Sequence, residues 1–404
     1  MSEPAAVSKP AVPPQIHSLT GLRFVAAVVV FVTHGAMLFV LKDQGATWMY
    51  MFFAGKVGQI SLTYFFVLSG FVLTWTHRPG NSVTGFWRRR FFRIYPSHAV
   101  TFAAAVVLLW LFGEHQKLGP TLTNLFLLQD WVPDNAYMDS ANGVSWSLSA
   151  ELLFYLAFPV LVAAILKIRA NRLWFWVGGT ALAVILVPVA SLAWLPDSPQ
   201  WSWGPASWAQ IWFVNVFPVS RLLEFVIGIM LARMVQTGMR SPLGVTPAVL
   251  LVVASYAAQL FLPVHFLFSY AAIQIVPVAL LILALAASDL KGRKSFLNTP
   301  AMVYLGNLTF AFYLVHNLVL RFGHRAFGVE PNAYGQLGGP QWSGPVAVAF
   351  LAAAFVVSLL LSWVLFVLVE RPAVARWSRP AAKRAPKTEH QDTSRSEVPV
   401  ATGS

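Results

Sequence analysis

The sequence predicts an all-α polytopic membrane protein with about ten transmembrane helices, and three observations support this prediction. Hydrophobic residues make up 57% of the 404 residues and charged residues only 11%, with a mean hydropathy of +0.64. A soluble domain usually carries about a quarter charged residues, so most of this chain is expected to lie in a bilayer. Apolar stretches of spanning or near-spanning length lie approximately at residues 19–41, 57–76, 97–113, 150–168, 173–194, 218–236, 245–262, 268–288, 300–320 and 345–369.

Both termini are predicted to be cytoplasmic because basic residues concentrate in alternate loops. With an even number of spans and both ends inside, most of the 28 Lys and Arg residues fall in cytoplasmic segments. This positive-inside bias sets the orientation. The formal charge of +13 then reflects topology and contact with anionic membrane lipid, so nucleic acid is not expected as a partner. The basic inner segments are residues 78–93, 167–169, 233–240, 291–294 and the tail from 371.

One continuous membrane domain is predicted over residues 17–375. Residues 1–16 are rich in Ala, Pro and Ser and residues 376–404 are polar with alternating charges, so both are predicted to be disordered tails. The largest external loop, residues 114–149, is expected to contain a short re-entrant or interfacial piece around residues 122–128. The first apolar stretch is too long for a cleaved signal peptide. The Ala/Val/Arg/Trp-rich composition is similar to that of a high-GC bacterium, so a bacterial cell membrane is the expected location.

Several chemistries are excluded by residues that the sequence lacks. It has no cysteine, which excludes disulfides, thiolate catalysis and Cys-ligated metals. No Gly-x-x-x-x-Gly-Lys-Ser/Thr loop occurs, so ATP hydrolysis is not expected. Ser69 is not part of a Gly-x-Ser-x-Gly elbow, and no His/Asp/Glu spacing is typical of a metal site. We therefore expect neither a metal nor a permanently bound cofactor.

The strongest functional signal is Arg23 followed by His34 within the first apolar stretch. Eleven residues of α-helix return to nearly the same face, roughly 16 Å further along the axis. Ionisable side chains are costly in lipid, so both are expected to face the protein interior. His34 falls in the outer half of the membrane and is expected to act as a general base, because imidazole accepts a proton near neutral pH. Packing against a neighbouring helix is the alternative.

A polar segment ending at Glu151 leads into the fourth stretch from outside. Glu151 is expected at a depth similar to that of His34, and Ser147 lies four residues before it on the same helix face. A carboxylate there would orient an imidazole and stabilise its protonated form. The alternative is an ordinary helix N-terminus, where a serine caps the helix and a glutamate favours its dipole.

Two other groups of ionisable residues lie near the predicted outer face. Arg221 and Glu224 are three residues apart at the start of the sixth stretch, where a structural ion pair is favoured over a substrate contact. His316 lies near the outer end of the ninth stretch. It is expected either to contact an acceptor hydroxyl or to serve as a packing element.

The densest basic cluster runs from Phe86 to Pro96. Arg90 and Arg93 share a helix face, and the aromatic residues Trp87, Phe91, Phe92 and Tyr95 suit the lipid interface. Arginine binds phosphate groups through two parallel hydrogen bonds, so a phosphorylated cytoplasmic ligand such as a coenzyme A thioester fits this cluster. A positive-inside anchor is the alternative. At the end of the last stretch, Arg371 is expected to cap the helix and Pro372 to stop it.

Taken together, these segments resemble the acyltransferase-3 family of bacterial integral membrane O-acyltransferases. The resemblance covers about residues 17–375, with the motifs in order and without the fused esterase-like domain that some relatives carry. The matching segments are residues 19–23 with His34, then 64–70, 90–96, 144–155, 221–228, 305–316 and 369–372.

The resemblance implies transfer of an acetyl or other short acyl group from acyl-CoA, with acetyl-CoA foremost as co-substrate, to a hydroxyl. Family acceptors include surface polysaccharides, lipopolysaccharide sugars, peptidoglycan and sugar-bearing macrolide antibiotics. The family's Arg-x10-His pattern maps onto Arg23 and His34, with the histidine catalytic. Its Arg-x-x-Arg pattern maps onto Arg90 and Arg93, on the side of the acyl donor.

These observations predict one site with three groups of residues. The catalytic candidates are His34 and Glu151, and the acyl-CoA candidates are Arg23, Arg90 and Arg93. The substrate-binding candidates are Trp146, Ser147, Arg221, Glu224, Tyr313 and His316. In this hypothesis the phosphates of the acyl donor dock on Arg90 and Arg93, and the thioester arm extends beside Arg23 toward His34.

A transporter or flippase of an acylated lipid or antibiotic is the competing class. It explains the many spans and the buried charges equally well. It does not predict an arginine pair at the cytoplasmic interface combined with a buried histidine. The sequence predicts no particular oligomeric state.

Overall fold

A computed structural model of the protein describes residues 14–78, 80, 82–201, 204–331 and 337–377. Within those ranges, eight helical segments are long and apolar enough to cross a membrane. Two shorter apolar helices, Val245–Phe261 and Ile275–Leu290, coincide with the remaining two predicted stretches. The prediction of an all-α polytopic membrane protein is therefore confirmed. The predicted disordered tails lie mostly outside the described residues, at 1–13 and 378–404.

Helices account for almost all of the regular structure in the described part of the chain. They are α1 (His17–Ala36), α2 (Gln44–Ala54), α3 (Gly58–Trp75), α4 (Val83–Leu111), α5 (Leu118–Leu125), α6 (Asn135–Met138), α7 (Trp146–Ile165), α8 (Leu173–Trp194), α9 (Trp208–Ile211), α10 (Pro218–Gln236), α11 (Val245–Phe261), α12 (Ile275–Leu290), α13 (Pro300–Arg325), α14 (Gly344–Leu365) and α15 (Arg371–Trp377). Two antiparallel strands of two residues each, β1 (Glu330–Pro331) and β2 (Leu337–Gly338), join α13 to α14.

Local sequence signals set the start of the two helices that matter most for the site. The Ser82 hydroxyl accepts a hydrogen bond from the Gly85 amide at 3.1 Å and caps α4. Thr299 caps α13 through the Met302 amide, and Pro300 occupies the first turn, where its missing N–H has no cost. These caps fix where each helix begins and hence which side chains face inward.

Glycines bring two helix pairs into backbone contact. A side chain at Gly228 of α10 would overlap the Val67 carbonyl of α3, and one at Gly306 of α13 would overlap the Thr20 carbonyl of α1. Small residues let helix backbones approach closely in a membrane, where packing rather than the hydrophobic effect holds helices together. The pairs α3–α10 and α1–α13 therefore form the rigid centre of the bundle.

The segment before α7 folds into the bundle instead of remaining at the membrane surface. It contains α5 near the predicted re-entrant piece, and Asn124 and Asn142 in it are fully buried. The Asn142 amide donates to the Leu314 carbonyl at 2.9 Å, and Leu314 lies midway along the 26 residues of α13. The fourth span consequently begins inside the protein.

The last span does not end at the predicted position. A π-helical turn over Phe366–Glu370 follows α14 and leads directly into α15. The expectation that Arg371 caps the helix and Pro372 stops it is therefore wrong. The wider π turn accommodates Pro372, whose ring would clash with the carbonyl four residues earlier in a regular α-helix.

Candidate active site

A polar cavity of about 290 Å³ lies at the centre of the bundle, between α1, α3, α4, α7 and α13. The rest of its lining is mostly apolar and comes from α3, α4, α7 and α13. Six of the residues predicted from the sequence line it: Arg23, Arg90, Arg93, Ser147, Glu151 and Tyr313. The structure thus brings together residues that are up to 290 positions apart in the chain, as expected for a site built between helices.

Two arginines of α4 form the basic end of this cavity. The Arg90 guanidinium lies over the rings of Phe86 and Tyr155, at 5.8 and 6.0 Å from their centroids. Arg93 forms an ion pair with Glu370, whose side chain is completely buried. Sequence reasoning missed this role of Glu370, because no spacing links the two residues. Arg93 therefore has a counter-ion of its own, whereas Arg23 and Arg90 form no ion pair among the described residues.

Glu151 lies among the cavity arginines and not beside His34. Its carboxylate accepts a hydrogen bond from the Tyr155 hydroxyl at 3.3 Å. The cavity that Glu151 lines also contains Arg23 and Arg90 but not His34, because α7 begins inside the bundle and carries Glu151 toward the arginines. Its negative charge is placed to balance part of the positive charge of this cavity.

The far end of the cavity is closed by two hydroxyl groups. Ser147 donates to the Tyr313 hydroxyl at 2.9 Å, and Tyr313 donates to the Val144 carbonyl at 2.8 Å. The ring centroid of Tyr313 lies 5.8 Å from that of His316. Tyr313 therefore forms a wall with the cavity on one side and a histidine pair on the other.

That pair consists of His34 and His316. His34 Nδ1 lies 2.8 Å from His316 Nε2, and the two rings stack with centroids 5.1 Å apart. His316 is completely buried, and its Nδ1 lies 3.1 Å from the Phe312 carbonyl oxygen. His34, which is only half-buried, is not among the residues that line the cavity.

These contacts determine the tautomers of two neutral histidines. A carbonyl oxygen only accepts hydrogen bonds, so His316 carries its proton on Nδ1 and leaves Nε2 as an acceptor. His34 must then donate from Nδ1, which leaves an unshared electron pair on its Nε2. This is the form that can accept a proton from a substrate.

The other substrate-binding candidates lie outside the cavity wall. Arg221 and Glu224 form an ion pair at 3.0 Å, with both side chains 1% exposed, and the Arg221 guanidinium lies over the Phe66 ring at 5.0 Å. The predicted pairing of these two side chains is therefore present, and neither residue lines the central cavity. Trp146 is partly buried and packs against the main hydrophobic core.

Comparison with known proteins adds independent evidence. The family described as an acyltransferase domain (Acyl_transf_3) matches residues 16–367. Acyltransferase MdmB from Streptomyces mycarofaciens is 40% identical over 391 residues, which cover 92% of this chain and 97% of MdmB. Peptidoglycan O-acetyltransferase OatA from Listeria monocytogenes is 28% identical over 171 residues, covering 38% of this chain and 25% of OatA.

No solved structure matches the chain. The family match nevertheless extends over nearly the whole membrane domain, including all the residues that line the central cavity. The chain belongs to the acyltransferase-3 family of integral membrane acyltransferases.

Proposed function

We propose that this protein transfers a short acyl group, acetyl foremost, from acyl-CoA to a hydroxyl of a carbohydrate. The acceptor is either a cell-envelope glycan or the sugar or ring of a macrolide-type natural product, and the protein acts in the bacterial cell membrane. One observation carries the proposal: Tyr313 separates a positively charged cavity from a histidine pair in which His34 Nε2 keeps an unshared electron pair. The family supplies the reaction class.

The charge of the cavity suits an anionic acyl donor that reaches deep into the protein. Arg23 and Arg90 have no ion-pair partner among the described residues, and Glu151 offsets only part of their charge. Arginines of this kind favour a ligand whose phosphate groups lie at the Arg90 end of the cavity, because charge-assisted hydrogen bonds are stronger than neutral ones. The thioester arm is the narrow part of such a donor and fits a cavity of about 290 Å³.

The proposed reaction uses His34 Nε2 as the general base. It accepts the proton of the acceptor hydroxyl as that oxygen attacks the thioester carbonyl carbon. The carbon–sulfur bond then breaks, and the coenzyme A thiolate leaves with the proton returned by His34. The hydrogen bond from His34 Nδ1 to His316 holds the ring in its reactive tautomer throughout.

Glu151 and Tyr313 take supporting roles in this mechanism. Because Glu151 lies with Tyr155 and the arginines, we propose that it positions their guanidinium groups instead of stabilising the His34 imidazolium. Tyr313 separates the cavity from the histidines, so the thioester reaches His34 when the Tyr313 hydroxyl moves away from Ser147.

Acceptor-dependent release of coenzyme A tests the reaction. Purified protein is incubated with labelled acetyl-CoA and candidate sugars or macrolides, and free thiol is measured alongside labelled product. His34→Ala is expected to abolish transfer, whereas His324→Ala, a matched change of a buried histidine elsewhere on α13, is expected to retain it. Full turnover by the His34 variant, or substrate movement across vesicles without thiol release, contradicts the proposal.

Comparative mass spectrometry identifies the acceptor. Glycans and small secondary metabolites are extracted from the producing strain and from a strain in which the coding sequence is deleted. The acceptor is expected to lose the mass of one acyl group in the deletion strain. An unchanged acylation pattern in both pools contradicts the proposed acceptor class.

A further inference from the structure

A second, larger cavity opens beside the central one. It has a volume of about 510 Å³ and lies between the end of α3 with residues 76–78, the start of α4 and the second half of α7. Leu73 and Arg90 line both cavities. The two spaces therefore adjoin at Arg90, on the side of the protein that the positive-inside rule assigns to the cytoplasm.

The side chains of this second cavity combine positive charge with aromatic surface. Arg78, Arg89 and Arg90 line it together with His77, and none of its described lining residues is an aspartate or glutamate. One wall is formed by Phe86 and Phe158, whose rings stack with centroids 5.0 Å apart. Cations over a concave aromatic surface suit a ligand that has both phosphate groups and a flat ring.

Two observations separate this site from a plain positive-inside anchor. An anchor needs basic side chains near lipid headgroups, but it does not need them to line a concave space. In addition, Arg90 has a buried Nε without a hydrogen-bond partner among the described residues, so part of its hydrogen-bonding capacity is unused. A buried guanidinium nitrogen without an acceptor is costly unless a ligand supplies one.

The position of Arg93 also directs the phosphates away from the central cavity. Its ion pair with the buried Glu370 already satisfies much of its charge. A phosphate placed there would face the Glu370 carboxylate as well. The expected docking of the phosphates on both Arg90 and Arg93 is thus less favourable than docking on the three arginines of the second cavity.

We infer that the second cavity, lined by His77, Arg78 and Arg89, binds the phosphorylated nucleotide end of the acyl donor. The inference rests on the proposed function, because it locates one half of the donor assigned there. Arg90 stands where the two cavities meet, so the pantetheine arm passes it and enters the central cavity. The phosphate-binding site then includes His77, Arg78 and Arg89, which lie outside the Arg-x-x-Arg pattern.

Kinetics with whole and truncated acyl donors test this assignment. The double variant Arg78→Ala/Arg89→Ala is compared with wild type, using acetyl-CoA and S-acetylpantetheine, which lacks the nucleotide. We expect the KM for acetyl-CoA to rise about ten- to a hundredfold for each arginine lost, with kcat changed less than threefold. The kinetic constants for S-acetylpantetheine are expected to be the same in both proteins.

A binding measurement gives a readout that does not depend on turnover. Adenosine 3′,5′-bisphosphate is expected to compete with acetyl-CoA in wild type and to lose affinity in the double variant. Arg169→Ala/Arg240→Ala is the matched control, because it removes two exposed arginines from the same predicted face without touching the cavity. That control is expected to behave as wild type.

The outcomes distinguish this inference from the function on which it rests. If wild type turns over acetyl-CoA but the Arg78/Arg89 variant keeps its KM, the second cavity is not the nucleotide site. The same conclusion follows if the control variant loses as much affinity, since bulk surface charge then explains the effect. If wild type neither binds nor turns over acyl-CoA, the proposed acyl donor itself is wrong.

Discussion

Replacing His316 by phenylalanine tests the role of the histidine pair. The substitution keeps a planar ring in the space but removes the nitrogen that accepts the 2.8 Å hydrogen bond from His34. The Nδ1–H of His34, which faces the completely buried position 316, is then left without its acceptor, which costs about 1–3 kcal/mol. The alternative tautomer, with the proton on Nε2, becomes favoured by the same amount.

The expected loss of activity follows from that free energy. Each 1.4 kcal/mol is about a tenfold change in an equilibrium, so the reactive tautomer of His34 falls about 5- to 150-fold. We expect kcat for acyl transfer to fall by this factor, with little change in the KM for the acyl donor. His316→Gln is expected to restore part of kcat, because its amide oxygen can accept the same hydrogen bond.

Steady-state thiol release by the purified variants measures these quantities, with thermal unfolding in detergent as the check on folding. His324→Phe is the matched control. It removes another buried histidine of α13, which bonds the Pro340 carbonyl at 2.8 Å. That variant is expected to lose stability without a specific loss of kcat. If His316→Phe retains the kcat of the His324 variant, or if Gln and Phe at position 316 behave alike, the tautomer argument is refuted.

Three further predictions concern stability, each measured by thermal unfolding. Burial raises the pKa of Asp130 well above its usual range, so as the pH rises the unfolded chain releases this proton before the folded protein does, and stability falls. Asp130→Asn is therefore expected to raise the melting temperature at pH 8 and to change it little at pH 4, and an equal shift at both would contradict this. Glu370→Gln is expected to lower the free energy of unfolding by about 1–3 kcal/mol because Arg93 loses its counter-ion. This loss is smaller than for a fully buried ion pair, since the Arg93 side chain is 35% exposed. An unchanged melting temperature would show that the pair contributes little. Gly228→Ala is expected to lower stability by more than 2 kcal/mol because its methyl group overlaps the Val67 carbonyl, whereas Ala at Gly179, which has open space, is expected to be tolerated.

The parts of the site that the sequence predicts are those set by local geometry. Arg23 and His34 were expected on one face of one helix because helical spacing alone determines that relation, and both lie on the inward-facing α1. The ten apolar stretches were recognisable because a span must satisfy its backbone internally and cover itself with apolar side chains. The pairing of Arg221 with Glu224 is likewise a relation within one turn.

The parts that it could not predict depend on which helices are neighbours. The contact between His34 and His316 joins residues 282 positions apart, and spans that are apolar on every face carry little information about their partners. The ion pair of Arg93 with Glu370 is hidden for the same reason. The position of Glu151 among the cavity arginines was also hidden, because hydropathy places polar loops in water, whereas Asn124 and Asn142 are buried and form hydrogen bonds inside the protein.

The glycine contact between α1 and α13 has a consequence for engineering. Because the Gly306 backbone rests on the Thr20 carbonyl, main-chain atoms, which cannot adapt as side chains do, set how closely α1 and α13 approach there. Under the proposed function, variants selected for bulkier acceptors are therefore expected to change side chains of the cavity wall and to leave this helix contact intact. Randomising Gly306 is instead expected to push apart α1 and α13, the helices that carry His34 and His316.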